Sequence, residues 1–126
     1  MEFRTDLSYT KTHEWVKLEG DVAIIGITDY AQDALGDLVF VNLPEEGETV
    51  ETEAVFADVE SVKAVSDIYS PVTGTVAEVN EELMDAPEKI NESAYDAWFI
   101  RVEDVTDHVE YMTADEYAAF VEDEAE

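Results

Sequence analysis

One lysine has the type and setting of a residue that could be chemically modified. Lys63 lies within residues 59–67, where the sequence has the features of a tight hairpin, and its neighbours are the apolar Val62 and Ala64. A lysine amine is a compact cation on a flexible four-carbon stem, so an enzyme can reach and acylate it at the tip of a turn. This predicts a covalent attachment point. The alternative is an ordinary exposed turn lysine.

Catalysis by the chain itself has little support in the sequence. His13 and His108 are the only histidines, and there is no cysteine. No Ser-His-acid order, histidine-rich metal spacing, glycine-rich phosphate loop or calcium loop accompanies them. We therefore expect a non-catalytic protein without a metal site.

The charge balance limits the partners. The sequence has 33 Asp and Glu against 6 Lys and Arg, a formal net charge of -27. Such a surface repels nucleic acids and anionic lipids, so we expect neither as a partner. A hydrophobic fraction of 46% predicts a folded core rather than disorder. Because salt screens self-repulsion, the charge also predicts adaptation to a salt-rich, halophile-like cytoplasm.

The length and residue types predict one cytoplasmic domain over residues 1–126. A chain of 126 residues can bury a core without disulfides, and the lack of cysteine favours the cytosol. The first residues lack the basic and apolar regions of a signal peptide. No apolar run is long enough to span a bilayer.

The first third of the chain predicts a β-hairpin followed by a short helix. The elements expected are a strand at 13–18, a turn at 19–21, a strand at 22–27 and a helix at 30–35. Thr28 or Asp29 can cap this helix, and Gly36 stands where a left-handed terminator is expected.

The lysine lies among short strands that predict a β-sandwich or flattened barrel. The strands expected are 38–41, 54–59, 64–69, 75–79 and 98–102. The attachment hairpin spans about 54–69. The uniformly apolar stretch 38–41 predicts a strand buried on both faces. Pro87 prevents a continuous helix over 80–96, so we expect that stretch to be irregular.

The C-terminus predicts a helix over about 113–124. Thr113 and Glu116 have the spacing of a capping box. The helix places three apolar side chains on one face, those of Tyr117, Phe120 and Val121. Residues 122–126 put acids at the wrong end of the helix dipole, so this end should fray. The predicted fold is thus mainly β, with a short helix in the N-terminal half and a C-terminal helix.

The lysine motif resembles the lipoyl-attachment motif of glycine cleavage system H proteins. Residues 60–64 and the pair Ser66-Asp67 carry this resemblance. It continues in family order at 9–10, 13–16, 26–32, 35–37, 39–41, 43–44, 70–74, 79–81, 87, 91–93, 95 and 98. Ala94 and Ala97 replace a proline and a glycine that many members have, which could alter the loop beside the arm.

The resemblance implies a lipoyl-domain-like barrel-sandwich hybrid with lipoate on Lys63. Glu60 and Ala64 would belong to the motif read by the lipoylating enzyme. Thr12, Glu14 and Asp67 would form a cleft in which the carboxylates pair with the cationic amine of the loaded arm. The alternative for each of these residues is a solvated surface position.

The resemblance also implies a function and partners. The chain would accept the aminomethyl group of glycine from the pyridoxal-phosphate glycine decarboxylase. Aminomethyltransferase would pass the carbon to tetrahydrofolate, and dihydrolipoyl dehydrogenase would reoxidise the carrier with FAD and NAD. Lipoylating enzymes are further partners. Since a carrier visits several enzymes in turn, we expect a monomer.

Several alternatives remain open at this point. The chain could be a lipoyl relay protein that donates its lipoyl group to other complexes, or an unmodified structural homologue. Biotin is disfavoured because biotin carriers usually place Met on both sides of the lysine. Lipoyl domains of dehydrogenase complexes are smaller and lack the first hairpin and the helices.

Overall fold

Nine strands and four helices form residues 3–125, the part of the chain that this computed structural model describes. The strands are β1 Ser8–Tyr9, β2 Glu14–Glu19, β3 Val22–Ile27, β4 Leu38–Asn42, β5 Thr49–Val50, β6 Val55–Ser61, β7 Val65–Tyr69, β8 Val72–Val79 and β9 Ile100–His108. The helices are α1 Asp29–Leu35, α2 Glu82–Asp85, α3 Lys89–Glu92 and α4 Ala114–Ala125. Within these residues no helix is long and apolar enough to cross a membrane.

The strands form two antiparallel sheets that share one core. Six strands pair in the order β1-β2-β3-β9-β8-β5, and three pair in the order β4-β6-β7. Val16, Ile25 and Val76 of the larger sheet belong to the same buried cluster as Val41 and Val59 of the smaller one. The predicted class, a mainly β flattened barrel-sandwich with a C-terminal helix, is confirmed.

The first hairpin and α1 follow the local signals of the sequence. Gly20 turns β2 into β3 with a φ of 66°. The Thr28 hydroxyl accepts the backbone N–H of Ala31 at 3.2 Å and so caps α1. Gly36 ends the helix at a φ of 84°, a conformation that glycine adopts without strain. The predicted turn, cap and terminator are all confirmed.

Strand β4 is buried on one face only, so the prediction of burial on both faces is wrong. Leu38 and Val41 enter the core, whereas Val39 and Phe40 are 56% and 48% exposed. The reason is that only one face of the smaller sheet contributes to the core, while its other face carries exposed side chains. A register shift between Leu38 and Phe40 also leaves two adjacent side chains outside.

The stretch 80–96 contains two single-turn helices that the sequence did not predict. Leu83 in α2 and Ile90 in α3 are fully buried. Pro87 lies between the two helices, as its lack of an N–H requires. One turn is too short to show helical periodicity. β9 also continues to His108, beyond the predicted end at 102.

Helix α4 begins at the predicted capping box. The backbone N–H of Thr113 donates to Glu116 Oε1 at 2.9 Å, and the N–H of Glu116 donates to Thr113 Oγ1 at 3.2 Å. Tyr117 and Val121 are buried in a second cluster with Tyr9 and Trp15. The helix continues through Ala125, one residue beyond the predicted end at 124; residue 126 lies outside the described residues, and the fraying of this end stays a prediction.

Candidate functional site

The turn that carries Lys63 is fixed by one serine. β6 and β7 pair antiparallel as far as Glu60 and Val65. Ser61 Oγ accepts the backbone N–H groups of Lys63 and Ala64, each at 3.1 Å. The Ser61 N–H donates to the Ala64 carbonyl at 2.8 Å. These bonds hold the backbone on both sides of the lysine, so the direction of its side chain is set by a stiff turn.

The Lys63 side chain is exposed at the tip of this hairpin. Its Nζ donates to the carbonyl of Ala34 in the last turn of α1 at 3.3 Å. The backbone N–H of Val62 donates to the carbonyl of Asp37 at 3.1 Å. The predicted hairpin lysine is therefore accessible, and the hairpin is tied to the loop that joins α1 to β4.

The outer face of the smaller sheet is apolar and acidic. The strand register places Glu60 between Phe40 and Val65. Six of the eight large hydrophobic side chains exposed within residues 3–125 lie in this sheet or its turn: Val39, Phe40, Val55, Val62, Val65 and Tyr69. An enzyme that acts on Lys63 can therefore contact apolar surface next to its target.

Two of the predicted cleft residues meet in a cavity of about 440 Å³ between the β1–β2 turn and the end of β7. Glu14 is 1% exposed. Its Oε1 accepts the hydroxyl of Thr12 at 2.6 Å and that of Thr10 at 2.8 Å. Its Oε2 is buried without a hydrogen-bond partner of ordinary geometry among the described residues. The carboxyl thus keeps acceptor capacity inside the cavity.

The protonation of Glu14 depends on its burial. Burial raises the pKa of Glu14 to about 7, because a buried carboxylate loses its hydration. Hydrogen bonds from Thr12 and Thr10, and more weakly the backbone N–H of Tyr69, favour the charged form and limit the rise of this pKa. Glu53 and Glu110 line the same cavity, together with Lys11. The cavity is thus an acidic site that suits a cationic group.

Asp67 stands apart from the cavity lining. It lies on β7 between the Lys63 turn and Tyr69, which does line the cavity. Because strand side chains alternate, Val65, Asp67 and Tyr69 share the outer face of β7. Asp67 is exposed and pairs in register with Asp58. The structure therefore places it on the strand that joins the Lys63 turn to the cavity, but outside the cavity lining.

Thr10 and Tyr69 are cleft residues that the sequence analysis did not propose. The Thr10 hydroxyl donates to Glu14, and its side chain is buried. The one available signal was a threonine next to the proposed cleft residues. Tyr69 lines the cavity from the far end of β7. Nothing local in the sequence shows that this strand end faces the β1–β2 turn.

His13 and Trp15 belong to an aromatic cluster rather than to the cleft lining. Trp15 is 2% exposed, and its Nε1 donates to the Ala94 carbonyl at 3.1 Å. His13 Nδ1 lies 2.8 Å from the Tyr117 hydroxyl. Burial lowers the pKa of His13, while the nearby Glu124 carboxylate opposes that change. Both side chains join the first hairpin to neighbouring parts of the chain.

The geometry is that of a carrier domain, since the body displays an accessible amine on a stiff turn at one end of β7 and has an acidic cleft at the other end of that strand. The sequence matches the family model described as Glycine cleavage H-protein over residues 7–124, and the chain belongs to this family.

Similar proteins cover almost the whole chain. The glycine cleavage system H protein of Lachnoclostridium phytofermentans is 58% identical over 127 residues, which is 100% of both chains. That of Treponema denticola is 53% identical and covers 93% of this chain and 96% of its own. The crystal structure of a glycine cleavage system H protein from Mycobacterium marinum superposes with a TM-score of 0.87 at 44% identity, covering 92% of this chain and 96% of that one. These relatives do not bear out the predicted salt-adapted source.

Proposed function

We propose that this chain is the lipoyl carrier of a glycine cleavage system, with lipoate joined to Lys63 through an amide. Membership of the H-protein family supports this function. The observation that carries the assignment to Lys63 is the exposed amine at the tip of the Ser61-fixed turn. When bound, lipoate supplies a disulfide that accepts the aminomethyl group and is regenerated by oxidation.

The cleft offers a place for a loaded arm. Glu14 Oε2 is a buried acceptor with unused capacity, and Thr12 holds the other carboxyl oxygen. A cationic amine entering the cleft would favour the charged form of Glu14, and Asp67 adds a carboxylate on the way from Lys63. The enclosed side chains would also keep water from labile cargo.

Glu60 and Ala64 serve the lipoylating enzyme in this proposal. Ala64 follows the lysine in the turn and is exposed, so no bulky side chain covers the amine from that side. Glu60 offers one carboxylate between two apolar side chains on the face beside the turn. A single charge on an apolar surface can fix the orientation of a bound protein.

The partners in this proposal are the enzymes that need the carried group. They are glycine decarboxylase with pyridoxal phosphate, aminomethyltransferase with tetrahydrofolate, dihydrolipoyl dehydrogenase with FAD and NAD, and the lipoylating enzymes. The chain itself is a non-catalytic, cytoplasmic monomer that tethers, presents and protects. Tethering raises the local concentration of the group at each docked enzyme.

The test begins with the intact mass of natively expressed protein. One lipoyl adduct confined to Lys63 is expected, and an unmodified Lys63 would overturn the proposal. Lipoylated protein should then support glycine–bicarbonate exchange by glycine decarboxylase. A fully lipoylated protein that supports no exchange would instead indicate a relay that passes lipoyl groups to other complexes.

A further inference from the structure

The end of α1 binds the Lys63 amine. The Ala34 carbonyl and the open space at Gly36 form this binding position, which is called the seat below. The carbonyl that receives Nζ belongs to Ala34, and carbonyls at a helix C-terminus have no partner within the helix. No basic residue lies in the last turn of α1. A cation is favoured at this end of a helix, and Lys63 supplies it from the neighbouring hairpin.

Gly36 leaves the room that the lysine stem occupies. A Cβ added at Gly36 would lie 2.9 Å from Lys63 Cε and 3.6 Å from Nζ. A contact below 3.0 Å requires movement, so a side chain here would move the flexible end of the Lys63 side chain away from the end of α1. The stem of Lys63 therefore crosses the end of α1 at a position where the backbone carries no side chain.

Asn91 in α3 holds the loop that forms this seat. Its Nδ2 donates to the Gly36 carbonyl and to Gln32 Oε1, each at 2.9 Å. Its Oδ1 accepts the backbone N–H of Leu38 at 2.9 Å. The half-buried side chain of Asn91 therefore hydrogen-bonds the backbone at both ends of residues 36–38. Between these two ends lies Asp37, whose carbonyl receives the Val62 N–H from the lysine turn.

We propose that Asn91 is a positioning residue for the modification of Lys63. It acts through residues 36–38. These residues hydrogen-bond the hairpin backbone at Val62 and keep the end of α1 next to the Lys63 amine. During acylation, Nζ attacks the carbonyl carbon of an acyl adenylate or thioester. The ammonium gives one proton to water before the attack, a C–N bond forms as the C–O or C–S bond to the donor's leaving group breaks, and the nitrogen then releases a second proton. The product amide is neutral, so its attraction to the end of α1 weakens and the arm is freed.

This proposal rests on the proposed function and is tested with the isosteric Asn91→Asp variant. The exchange removes the Nδ2 donor and keeps the shape and the Oδ1 acceptor. We expect the rate of Lys63 lipoylation by a lipoate ligase with ATP and lipoate to fall by about threefold to tenfold, the factor that the one hydrogen bond to the Gly36 carbonyl is worth. Hydrogen exchange at the Val62 amide should accelerate by a similar factor.

Asn80→Asp is the matched control. Asn80 is also half-buried, and its Nδ2 donates to the Trp98 carbonyl at 2.9 Å, away from the lysine turn. It should leave the lipoylation rate and Val62 exchange within about twofold of the parent. Equal behaviour of the two variants in both measurements would overturn the role of Asn91. A parent protein that is never lipoylated would instead refute the proposed function.

A glycine pair keeps the test decisive if Asn91→Asp fails to fold. Gly36 and Gly47 have φ values of 84° and 92°, so alanine is strained at both. Only at Gly36 would the new Cβ meet Lys63, because nothing lies within 4 Å of it at Gly47. Gly36→Ala should slow lipoylation by at least about threefold relative to Gly47→Ala. Equal rates would show that the seat has no part in modification.

Discussion

At the scale of single residues, Glu14 is the candidate site residue whose carboxyl is buried and whose pKa is raised by that burial. Its carboxyl is buried and accepts hydrogen bonds from Thr12 and Thr10 through one oxygen, while the other has no hydrogen-bond partner of ordinary geometry among the described residues. Burial therefore makes ionisation of Glu14 costly in the folded protein. In the proposed function, the same feature would favour a cation in the cleft, since a positive ligand would relieve that cost.

The pH dependence of stability follows from this burial. The pKa of Glu14 rises from 4.5 to about 7 on folding, so between these values the folded chain holds more protons than the unfolded one. The stability that protonated Glu14 contributes to the folded state is fully present below pH 4.5 and is lost as the pH rises towards 7. Relative to Glu14→Gln, the wild type should lose up to about 3 kcal/mol of unfolding free energy across this interval.

Urea unfolding of both proteins from pH 4.5 to 7.5 measures this difference. Glu53→Gln is the control, because it removes an exposed carboxylate from the same cleft. The unfolding free energy of Glu53→Gln, plotted against pH, should run parallel to that of the wild type. Parallel curves for wild type and Glu14→Gln would show that ionisation of Glu14 carries no folding cost.

At the scale of elements, the smaller sheet presents the surface beside the lysine. We predict that Glu60→Gln reduces the rate of Lys63 lipoylation by about threefold to tenfold and leaves the unfolding free energy unchanged. The reason is the loss of a charged contact from an exposed position, which orients a partner without supporting the fold. Initial rates followed by mass spectrometry give the result.

Glu103→Gln is the control for this sheet. Glu103 is an exposed strand glutamate on β9 of the larger sheet. It loses the same charge, so it should leave the rate of lipoylation near that of the wild type. Matching rates for Glu60→Gln, Glu103→Gln and the wild type would remove Glu60 from recognition.

Elements whose ends are set by residues a few positions away could be predicted from the sequence. Features that depend on how the two sheets pack could not. Thr28, Gly36 and the Thr113–Glu116 box fix helix ends through bonds to residues three or four positions away. The exposure of Phe40 depends on which sheet β4 joins, which its own apolar sequence does not show. The site divides in the same way: Lys63 stands in a local motif, whereas Tyr69 reaches the cleft only through tertiary packing.

At the scale of the whole molecule, unbalanced charge is the main electrostatic feature. Against 33 acidic residues, three ion pairs of Lys or Arg occur within the described part of the chain: Arg4–Asp6, Lys89–Glu82 and Arg101–Glu78. Glu124 also contacts His13, whose pKa is lowered by burial. Most carboxylates of the described residues are therefore not paired with a Lys or Arg side chain. Their mutual repulsion acts against the folded state.

This repulsion predicts that salt stabilises the protein. Screening shortens the Debye length from about 30 Å at 0.01 M to about 3 Å at 1 M. We expect Tm in 1 M KCl to exceed that in 10 mM buffer by at least about 3 °C, roughly 1 kcal/mol for a domain of this size. Calorimetry in KCl measures the shift, with sucrose as the uncharged control. A lower Tm in KCl would refute the argument.

The most direct measurement uses Lys63→Arg, which keeps the charge and the turn but removes the amine that can be acylated. Lys17→Arg, an exposed exchange on β2, is the control. We predict no lipoyl adduct and no glycine-dependent exchange for Lys63→Arg, with both retained in Lys17→Arg. Transfer of one-carbon units from glycine by purified Lys63→Arg protein would contradict this prediction.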